Sequence, residues 1–211
     1  MKLGMRIFAW VSVALGVSCL TSCQHTLVKP NSMPVYYSDS GFVNLLPTTA
    51  MAGTIDEAQH LEGTFRKMKS PGNSLADTST TTFSGDVWVR ANDTILSVVF
   101  FSGFGTTIAE LTYAKDSVSF VSSVIDVEKM KAEYVIADLQ TCFYPFEALK
   151  NNFEQSGFTF TEKRLSDESQ DFERVLSENG KTILHVTRKA SEIDLVNELR
   201  QYKYHINLGS E

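Results

Sequence analysis

The stretch TTTFSGDVWVRANDTILSVVFFSGFGTTIAELTYAKDSVSFVS, residues 80–122, decides the fold class. From Phe83 to Arg90 apolar and polar side chains alternate, and this period of two predicts a half-buried strand. Asn92-Asp93 is typical of a turn, and the apolar runs after it predict three further strands of an antiparallel meander. Residues 94–102 are apolar on both faces, so we expect that strand to be covered on both sides.

The hydrophobic period changes after the meander. Residues 127–143 carry a helical face, because apolar or small side chains recur at steps of four, three and four: Met130, Tyr134, Ala137 and Thr141. Pro145 suits the first turn of a second helix, and Gly157 suits its end. The second helix is therefore predicted to follow the first directly in the chain, and the two are joined at the proline.

Strands are predicted again after the helices. Asn179-Gly180 is a strong signal for a two-residue hairpin. Residues 192–208 alternate in polarity and predict two more strands, although a short helix from Ser191 is an alternative. The chain as a whole is mainly β: a curved antiparallel sheet, or incomplete barrel, with a helical pair on one face. Such a sheet leaves an apolar hollow in which a ligand can bind.

The N-terminus has the pattern of a secretion signal. Lys2 and Arg6 precede an uncharged apolar run that is short for a membrane span, and the run ends in Leu20-Thr21-Ser22-Cys23. This sequence resembles the bacterial lipobox, which implies a signal peptide over residues 1–22 and a lipid on Cys23. The alternative is an ordinary cleaved signal with an incidental cysteine. Two or more acyl chains would hold the protein firmly on a bilayer.

The rest of the chain is then divided in two. Residues 23–57 contain Pro30, Pro34 and Pro47 and are predicted to be the lipidated cysteine and an extended tether. The alternative for residues 35–47, VYYSDSGFVNLLP, is that they dock on the domain, because this stretch is apolar enough to do so. Residues 58–211 are predicted to be one folded domain. Gln24 follows the cysteine, and in enteric bacteria a residue other than Asp there permits export to the outer membrane. We therefore expect a protein of the cell envelope, on the periplasmic face of the outer membrane.

Composition excludes several kinds of partner. The chain has 211 residues, 19 basic and 25 acidic, with a net charge of −6. Loss of the signal removes two of the basic residues and changes the charge to 17 − 25 = −8. Nucleic acids need basic patches, so no nucleic-acid partner is predicted. Only Cys142 would remain as a free thiol, which excludes an internal disulfide and makes a metal site improbable.

No catalytic motif is present. The four histidines are scattered, without the spacing of a metal site, and no GxSxG nucleophile elbow occurs. Gly103-Phe104-Gly105 lacks the third glycine of a dinucleotide loop. The sequence therefore predicts a protein that is not an enzyme and needs neither a cofactor nor a metal.

Phe104 is unusual because it lies between two glycines in a tight turn that joins two apolar strands. It has little to pack against within its own sheet. Its ring either folds back onto the sheet or protrudes as an apolar contact for a membrane or a protein partner.

The stretch VVFFSGFGTTIAELTY, residues 98–113, resembles the region of the outer-membrane lipoprotein receptor LolB in which two apolar strands meet at a membrane-inserting turn. Residues 135–153, VIADLQTCFYPFEALKNNF, are similar to the LolB stretch in which a helix is followed by a proline-initiated helix over the cavity. FERVLSENGK and VNELRQYKYHINL are similar to a LolB-like lipoprotein family found with aryl polyene pigment gene clusters.

This resemblance implies a LolA/LolB-type half-barrel of about 11 strands with a two-helix lid, binding an acyl or polyene-lipid chain and delivering it to the membrane. It implies a membrane-contacting turn at Gly103, Phe104 and Gly105. The expected cavity residues are Val99, Phe101, Leu111, Phe120, Met130, Tyr134, Phe146, Leu149 and Phe153. The expected partners are the membrane, a hydrophobic lipid and a periplasmic LolA-like carrier. The alternative is a structural or adaptor lipoprotein that has a filled core and recruits a partner protein.

Overall fold

The computed structural model describes residues 25–29, 34–39, 41–66, 80–124, 131–166 and 170–209, the first of these as backbone only. The strands are β1 (His25–Lys29), β2 (Pro34–Tyr36), β3 (Phe42–Asn44), β4 (Ile55–Arg66), β5 (Thr80–Ala91), β6 (Leu96–Phe101), β7 (Thr107–Ala114), β8 (Ser117–Ser122), β9 (Thr159–Arg164), β10 (Phe172–Glu178), β11 (Lys181–Lys189), β12 (Glu192–Asn197) and β13 (Tyr202–Leu208). The helices are α1 (Ala132–Phe143) and α2 (Phe146–Gln155), and a short 3₁₀ turn spans Thr48–Ala50.

Ten strands, β4 to β13, form one antiparallel sheet, and β1 extends it by pairing with β8. The order across the sheet is β1-β8-β7-β6-β5-β4-β13-β12-β11-β10-β9, so the last strand of the chain pairs with β4 and joins the two meanders. The outer strands β1 and β9 do not pair with each other, and the sheet therefore remains an incomplete barrel. The predicted fold class is confirmed.

Two hairpins have the backbone geometry that their sequences predict. Lys115 and Asp116 both have positive φ, 49° and 57°, between β7 and β8. Asn179 and Gly180 have φ of 52° and 78° between β10 and β11. Positive φ at both central residues is the geometry of the tight turns that match the twist of neighbouring strands. The tail forms β12 and β13, as predicted, and the alternative helix from Ser191 does not form.

Both predicted helices form, and they cover one face of the sheet. Pro145 immediately precedes α2, and Gly157 has a φ of 83° just after it, which only glycine adopts without strain. The core between helices and sheet is built from the inward-facing side chains of alternate strand positions. Its largest fully buried members are Tyr37, Tyr113, Tyr144, Phe120, Phe153, Phe160, Leu96, Leu111, Ile136, Leu176, Leu184 and Ile193.

Part of the segment before β4 docks on the domain, which is the alternative to an extended tether. Strands β2 and β3 pair with each other, and Val35, Tyr37, Val43 and Leu45 are buried in the core. The side-chain amide of Gln140 on α1 fixes this segment: it donates to the carbonyl of Leu46 at 2.7 Å and accepts from the Leu46 N–H at 3.0 Å. Prolines prevent long strands here, but apolar side chains between them still bury. Residues 34–39 and 41–51 are therefore part of the folded domain.

Several connections lie at the same edge of the sheet, because successive strands are antiparallel. Tyr202, which begins β13, is opposite Phe65 near the end of β4. The β6–β7 turn follows Phe101, and β6 runs parallel to β4 because both pair with β5. The β12–β13 turn, the β6–β7 turn and the start of α1 after β8 therefore share one edge, which we call the rim.

Candidate ligand cavity

A cavity of about 680 Å³ lies between the sheet and α1. It is lined by Leu61, Phe65, Phe83, Ser84, Gly85, Asp86, Val87, Phe100, Phe101, Ile108, Val124, Lys131, Tyr134, Val135, Asp138, Leu139, Cys142, Leu195, Arg200, Tyr202, Tyr204 and Ile206. The volume is within the range of ~300–1,000 Å³ that is usual for small-molecule sites. Most of the lining is apolar or aromatic, so the cavity suits a hydrophobic ligand.

One wall is an aromatic cluster on β4, β5 and β13. The rings of Phe65 and Phe83 stack with centroids 5.6 Å apart, and those of Tyr202 and Tyr204 lie 5.1 Å apart. Phe83 lies over Gly63 on the neighbouring strand, where a Cβ atom would come within 1.8 Å of the Phe83 ring. Glycine at position 63 therefore allows this ring to pack flat against the sheet.

The cavity also reaches the edge of β5. Residues 80–86 of β5 pair with β4, whereas pairing with β6 begins at Val87. The register of β6 against β7 shifts between Phe100 and Phe101, so that both phenylalanines line the cavity. Ile108, just beyond the β6–β7 turn, lines it as well. The cavity therefore extends to the base of that turn.

A buried polar network crosses the cavity wall. Tyr202 donates a hydrogen bond from its hydroxyl to Oδ2 of Asp138 at 2.7 Å, and Asn197 donates from Nδ2 to the Tyr202 hydroxyl at 3.2 Å. Burial raises the pKa of Asp138 to about 7, although the hydrogen bond from Tyr202 and the charge of Arg200 lower it. Burial also raises the pKa of the Cys142 thiol well above its ordinary value, so this cysteine is a poor nucleophile.

Two cations lie at the rim of the cavity around one tyrosine ring. The guanidinium carbon of Arg200 is 4.0 Å from the centroid of the Tyr134 ring, and Nζ of Lys131 is 5.6 Å from it. Arg200 also donates to the backbone carbonyl of Tyr36, whose N–H donates to the Tyr134 hydroxyl at 3.1 Å. The positions of Tyr134 and Arg200 are therefore fixed by the β2 strand.

The β6–β7 turn holds Phe104 away from the sheet. Ser102 N–H donates to Thr106 O and Gly105 N–H to Ser102 O, both at 2.8 Å, and Gly105 has a φ of 77°. Phe104 is 97% exposed. Of the two conformations expected for this ring, the structure adopts the one that protrudes, at the rim of the sheet.

The predicted cavity residues occupy three different environments. Phe101 and Tyr134 line the cavity. Val99 lies opposite Trp88 and Glu110, on the outer face of the sheet. Leu111 and Phe120 are fully buried in the core and do not reach the cavity. Met130 and Cys23 lie outside the described residues.

The predicted residues of the second helix do not line this cavity: Leu149 and Phe153 belong to the core, whereas Phe146 is partly buried and lines the second cavity described below. Leu149 and Phe153 on α2 are each 2% exposed, and Phe153 packs against Phe160 with ring centroids 4.9 Å apart. Phe146 stacks on Phe160 at 5.6 Å. The side chains that line the cavity come instead from α1, at Val135, Asp138 and Leu139. Sequence reasoning missed the aromatic wall, which the alternation of apolar residues in β4 and β13 could have indicated.

A second cavity, of about 770 Å³, is polar and lies on the other side of Cys142. Arg174 is one of its lining residues and is 5% exposed. It donates to Glu162 Oε2 at 2.8 Å and to the carbonyl of Thr141 at 2.7 Å, and it stacks on Phe172. Burial lowers the Arg174 pKa, and the Glu162 carboxylate opposes this. These contacts tie β9 and β10 to the end of α1, so we interpret this arginine as structural.

A serine, a histidine and an aspartate are hydrogen-bonded in series on β4 and β5. His60 contacts Asp86 Oδ1 through Nδ1 at 2.7 Å and Ser84 Oγ through Nε2 at 2.9 Å. The order of contacts is that of a hydrolase triad, and sequence reasoning did not find it because the residues are on different strands. The side chains are open to water, however: those of His60 and Asp86 are 40% and 76% exposed. In serine hydrolases the aspartate is buried, which strengthens its effect on the histidine.

Among the described residues, no group of three or more His, Cys, Asp or Glu side chains is arranged to hold a metal ion. Neither described helix has the length and hydrophobicity that a membrane-spanning segment requires.

Residues 57–210 match the family described as Protein of unknown function (DUF3261), and the chain belongs to that family. A comparison with curated proteins finds none that matches the chain.

Proposed function

We propose that this member of the DUF3261 family is a non-catalytic lipid carrier of the bacterial envelope. Its cavity binds an acyl or polyene-lipid chain, and the protein delivers that chain to the membrane. A lipid on Cys23 anchors the protein to the periplasmic face of the outer membrane. The observation that carries the proposal is the cavity of about 680 Å³ with its mainly apolar lining.

The location of the cavity supports transfer in addition to storage. Phe101 and Ile108 line the cavity and flank the turn that carries Phe104. A chain bound against these residues lies next to a side chain that is 97% exposed. If Phe104 inserts into a bilayer, the base of its turn connects the cavity with the hydrocarbon region.

Binding of the chain requires only that its apolar surface be buried in the cavity. Each square ångström of apolar surface removed from water contributes ~25 cal/mol, and no covalent step is needed for uptake or release. A periplasmic LolA-like carrier is the expected donor, because the resemblance to LolB extends to the turn and to the helices.

The experiment is native mass spectrometry of the mature chain, residues 23–211, with Cys23→Ser, purified from the periplasm without detergent. The change at residue 23 prevents acylation, so that the anchor does not occupy the cavity. We expect an added mass that is identified as a lipid after denaturation. Val135→Phe, which fills the cavity from α1, should remove the added mass.

The matched control is Val99→Phe, which makes the same change on the outer face of the sheet and should leave the added mass in place. A bare polypeptide mass, without uptake when lipids are offered, would contradict the carrier proposal and favour the adaptor alternative. An added mass that persists in Val135→Phe and disappears in Val99→Phe would place the ligand elsewhere.

A further inference from the structure

The cationic pair at the rim of the cavity is not explained by burial of an apolar chain. Lys131 and Arg200 both line the cavity, and both contact the Tyr134 ring. Neither forms an ion pair with a carboxylate within the described part of the chain. Two cations that have no carboxylate partner among the described residues are unexpected beside an apolar cavity in a protein with a net charge of −6.

The position of Arg200 is built by the fold. The backbone N–H of Arg200 donates a hydrogen bond to Asn197 Oδ1 at 2.8 Å, and this bond fixes the β12–β13 turn. The guanidinium carbon lies 4.0 Å from the centroid of the Tyr134 ring, and the guanidinium donates to the carbonyl of Tyr36. A guanidinium has five N–H donors, and these two contacts leave others available for a ligand. It is therefore oriented before any ligand binds.

The carboxylates of the cavity do not cancel this charge. Asp138 is 4% exposed and accepts from Tyr202, and burial raises its pKa to about 7, so it carries only part of a charge at neutral pH. Asp86 is open to water and contacts His60. Of the carboxylates that line the cavity, neither therefore fully neutralises Arg200 and Lys131, while the rest of the lining is mainly aromatic and aliphatic.

We propose that Arg200 and Lys131 bind the anionic head group of an amphiphile whose single or double acyl chain occupies the cavity. This inference rests on the proposed function and names its ligand class: a chain that ends in a carboxylate or in a phosphate. Arg200 binds the oxyanion through charge-assisted hydrogen bonds, and Lys131 adds a second positive charge.

The position at the rim agrees with this assignment. Arg200 lies in the β12–β13 turn and Lys131 immediately before α1, and both connections are at the same edge of the sheet as the Phe104 turn. A head group bound there stays close to water while its chain is buried. It also faces the same side of the molecule as the proposed membrane contact.

The test compares three probes of equal chain length: hexadecanoate, hexadecyl phosphate and the neutral hexadecanol. Each competes with the uncharged dye Nile red for the mature chain with Cys23→Ser. We expect both anions to bind about tenfold or more tightly than the alcohol, since a charge-assisted hydrogen bond contributes this much. A preference between the two anions tells whether the natural head is a carboxylate or a phosphate.

Arg200→Gln should reduce the affinity for both anions about tenfold and leave hexadecanol within about twofold. Lys131→Gln, at an exposed side chain, should give a smaller loss in the same direction. The control is Lys203→Gln, which removes the same charge from an exposed position on β13 that does not line the cavity.

Two results overturn the head-group site while the carrier proposal stands. One is equal affinity of the wild-type protein for anions and alcohol. The other is an equal loss of affinity for all three probes in Arg200→Gln, which would mean that this arginine has a structural role. Failure of every probe to displace the dye from the wild-type protein would overturn the head-group site and the carrier proposal together.

Discussion

The hydroxyl of Tyr202 on β13 donates a 2.7 Å hydrogen bond to Oδ2 of Asp138 on α1, and this contact joins the sheet to the helix across the cavity wall. Asp138 is 4% exposed, and a charged carboxylate there lacks most of the stabilisation that water provides. The neutral form is therefore favoured, and the pKa of Asp138 rises to about 7 from an ordinary value of 3.8.

This shift predicts how stability depends on pH. Between pH 3.8 and about 7 the native state binds a proton that the unfolded state does not. The stability that the protonated form of Asp138 contributes to the native state is therefore fully present below pH 3.8 and is lost as the pH rises through about 7. Asp138→Asn stays neutral and still accepts from Tyr202, so its free energy of unfolding should exceed that of the wild type at pH 8 by on the order of 2 kcal/mol.

The measurement is urea unfolding of both proteins at pH 5 and pH 8, where the advantage of Asp138→Asn should shrink at the lower pH. Asp93→Asn, at an exposed aspartate, should show no such dependence. An advantage that is the same at both pH values would mean that Asp138 is ionised in the native protein throughout.

Gly63→Ala should destabilise the fold and reshape the aromatic wall. Its Cβ atom would lie 1.8 Å from Cε1 of Phe83, so the ring must leave its position beside Phe65. Overpacking of this kind costs about 1–3 kcal/mol. In urea unfolding the double variant Gly63→Ala/Phe83→Ala should be less destabilised than the sum of the two single changes, because the clash exists only when both side chains are present.

Gly85→Ala is the matched control, since the nearest atom to its Cβ would be the Phe101 carbonyl oxygen at 3.9 Å. It should have little effect on the free energy of unfolding. Additive effects of the Gly63 and Phe83 changes would show that the Phe83 ring does not occupy the space over Gly63.

The strands and helices could be predicted from local patterns, whereas the cavity could not. The hairpins at Lys115-Asp116 and Asn179-Gly180 could be predicted because residues of these types adopt the positive φ that a tight two-residue turn requires. In β6, by contrast, both faces are apolar, and the sequence does not tell which side faces inward. The register shift after Phe100 turns both Phe100 and Phe101 towards the cavity and leaves Val99 outside.

The same limit applies to the helices and to the N-terminal segment. Phe153 has the helical spacing of a cavity residue, but it packs on Phe160, a contact between distant parts of the chain. Tyr37 is 1% exposed because its ring meets Phe153 and Phe158 edge to face. Prolines around residues 30–47 indicate a tether, whereas the apolar stretch 35–47 allows docking on the domain, and only the assembled core shows that docking occurs.

Phe104→Glu should leave the fold intact and weaken contact with membranes. The ring is 97% exposed, and surface changes usually alter the free energy of unfolding by about 0.5 kcal/mol or less. Sedimentation with phosphatidylcholine vesicles is the measurement, made with Cys23→Ser so that only the turn holds the protein on the bilayer. We expect binding to fall several-fold, since a carboxylate does not enter the hydrocarbon region.

The control for Phe104 is Thr54→Glu, which adds the same carboxylate at an exposed position next to the start of β4, at the opposite edge of the sheet. Its vesicle binding should equal that of the wild type. Equal binding of Phe104→Glu and the wild type would contradict the role of this turn in membrane contact.

The Ser84–His60–Asp86 series should be catalytically inert. His60 Nε2 is 3.9 Å from Glu62 Oε1 as well as 2.9 Å from Ser84 Oγ, so two acceptors compete for one nitrogen in a solvent-exposed setting. Acyl transfer also needs hydrogen-bond donors aimed at the developing oxyanion, and a water-exposed strand position at the edge of the cavity does not supply the helix N-terminus or tight loop that usually presents them.

We therefore expect no labelling of Ser84 by a fluorophosphonate probe and no ester hydrolysis that Ser84→Ala abolishes. Ser84→Ala should instead cost about 0.5–1.5 kcal/mol of stability at most, the contribution of one exposed hydrogen bond. Labelling that is lost in both Ser84→Ala and His60→Gln, with Ser119→Ala unchanged as the control on another strand, would contradict the carrier proposal. It would instead identify an esterase whose cavity binds the acyl chain of its substrate, because Ser84 and Asp86 line that cavity.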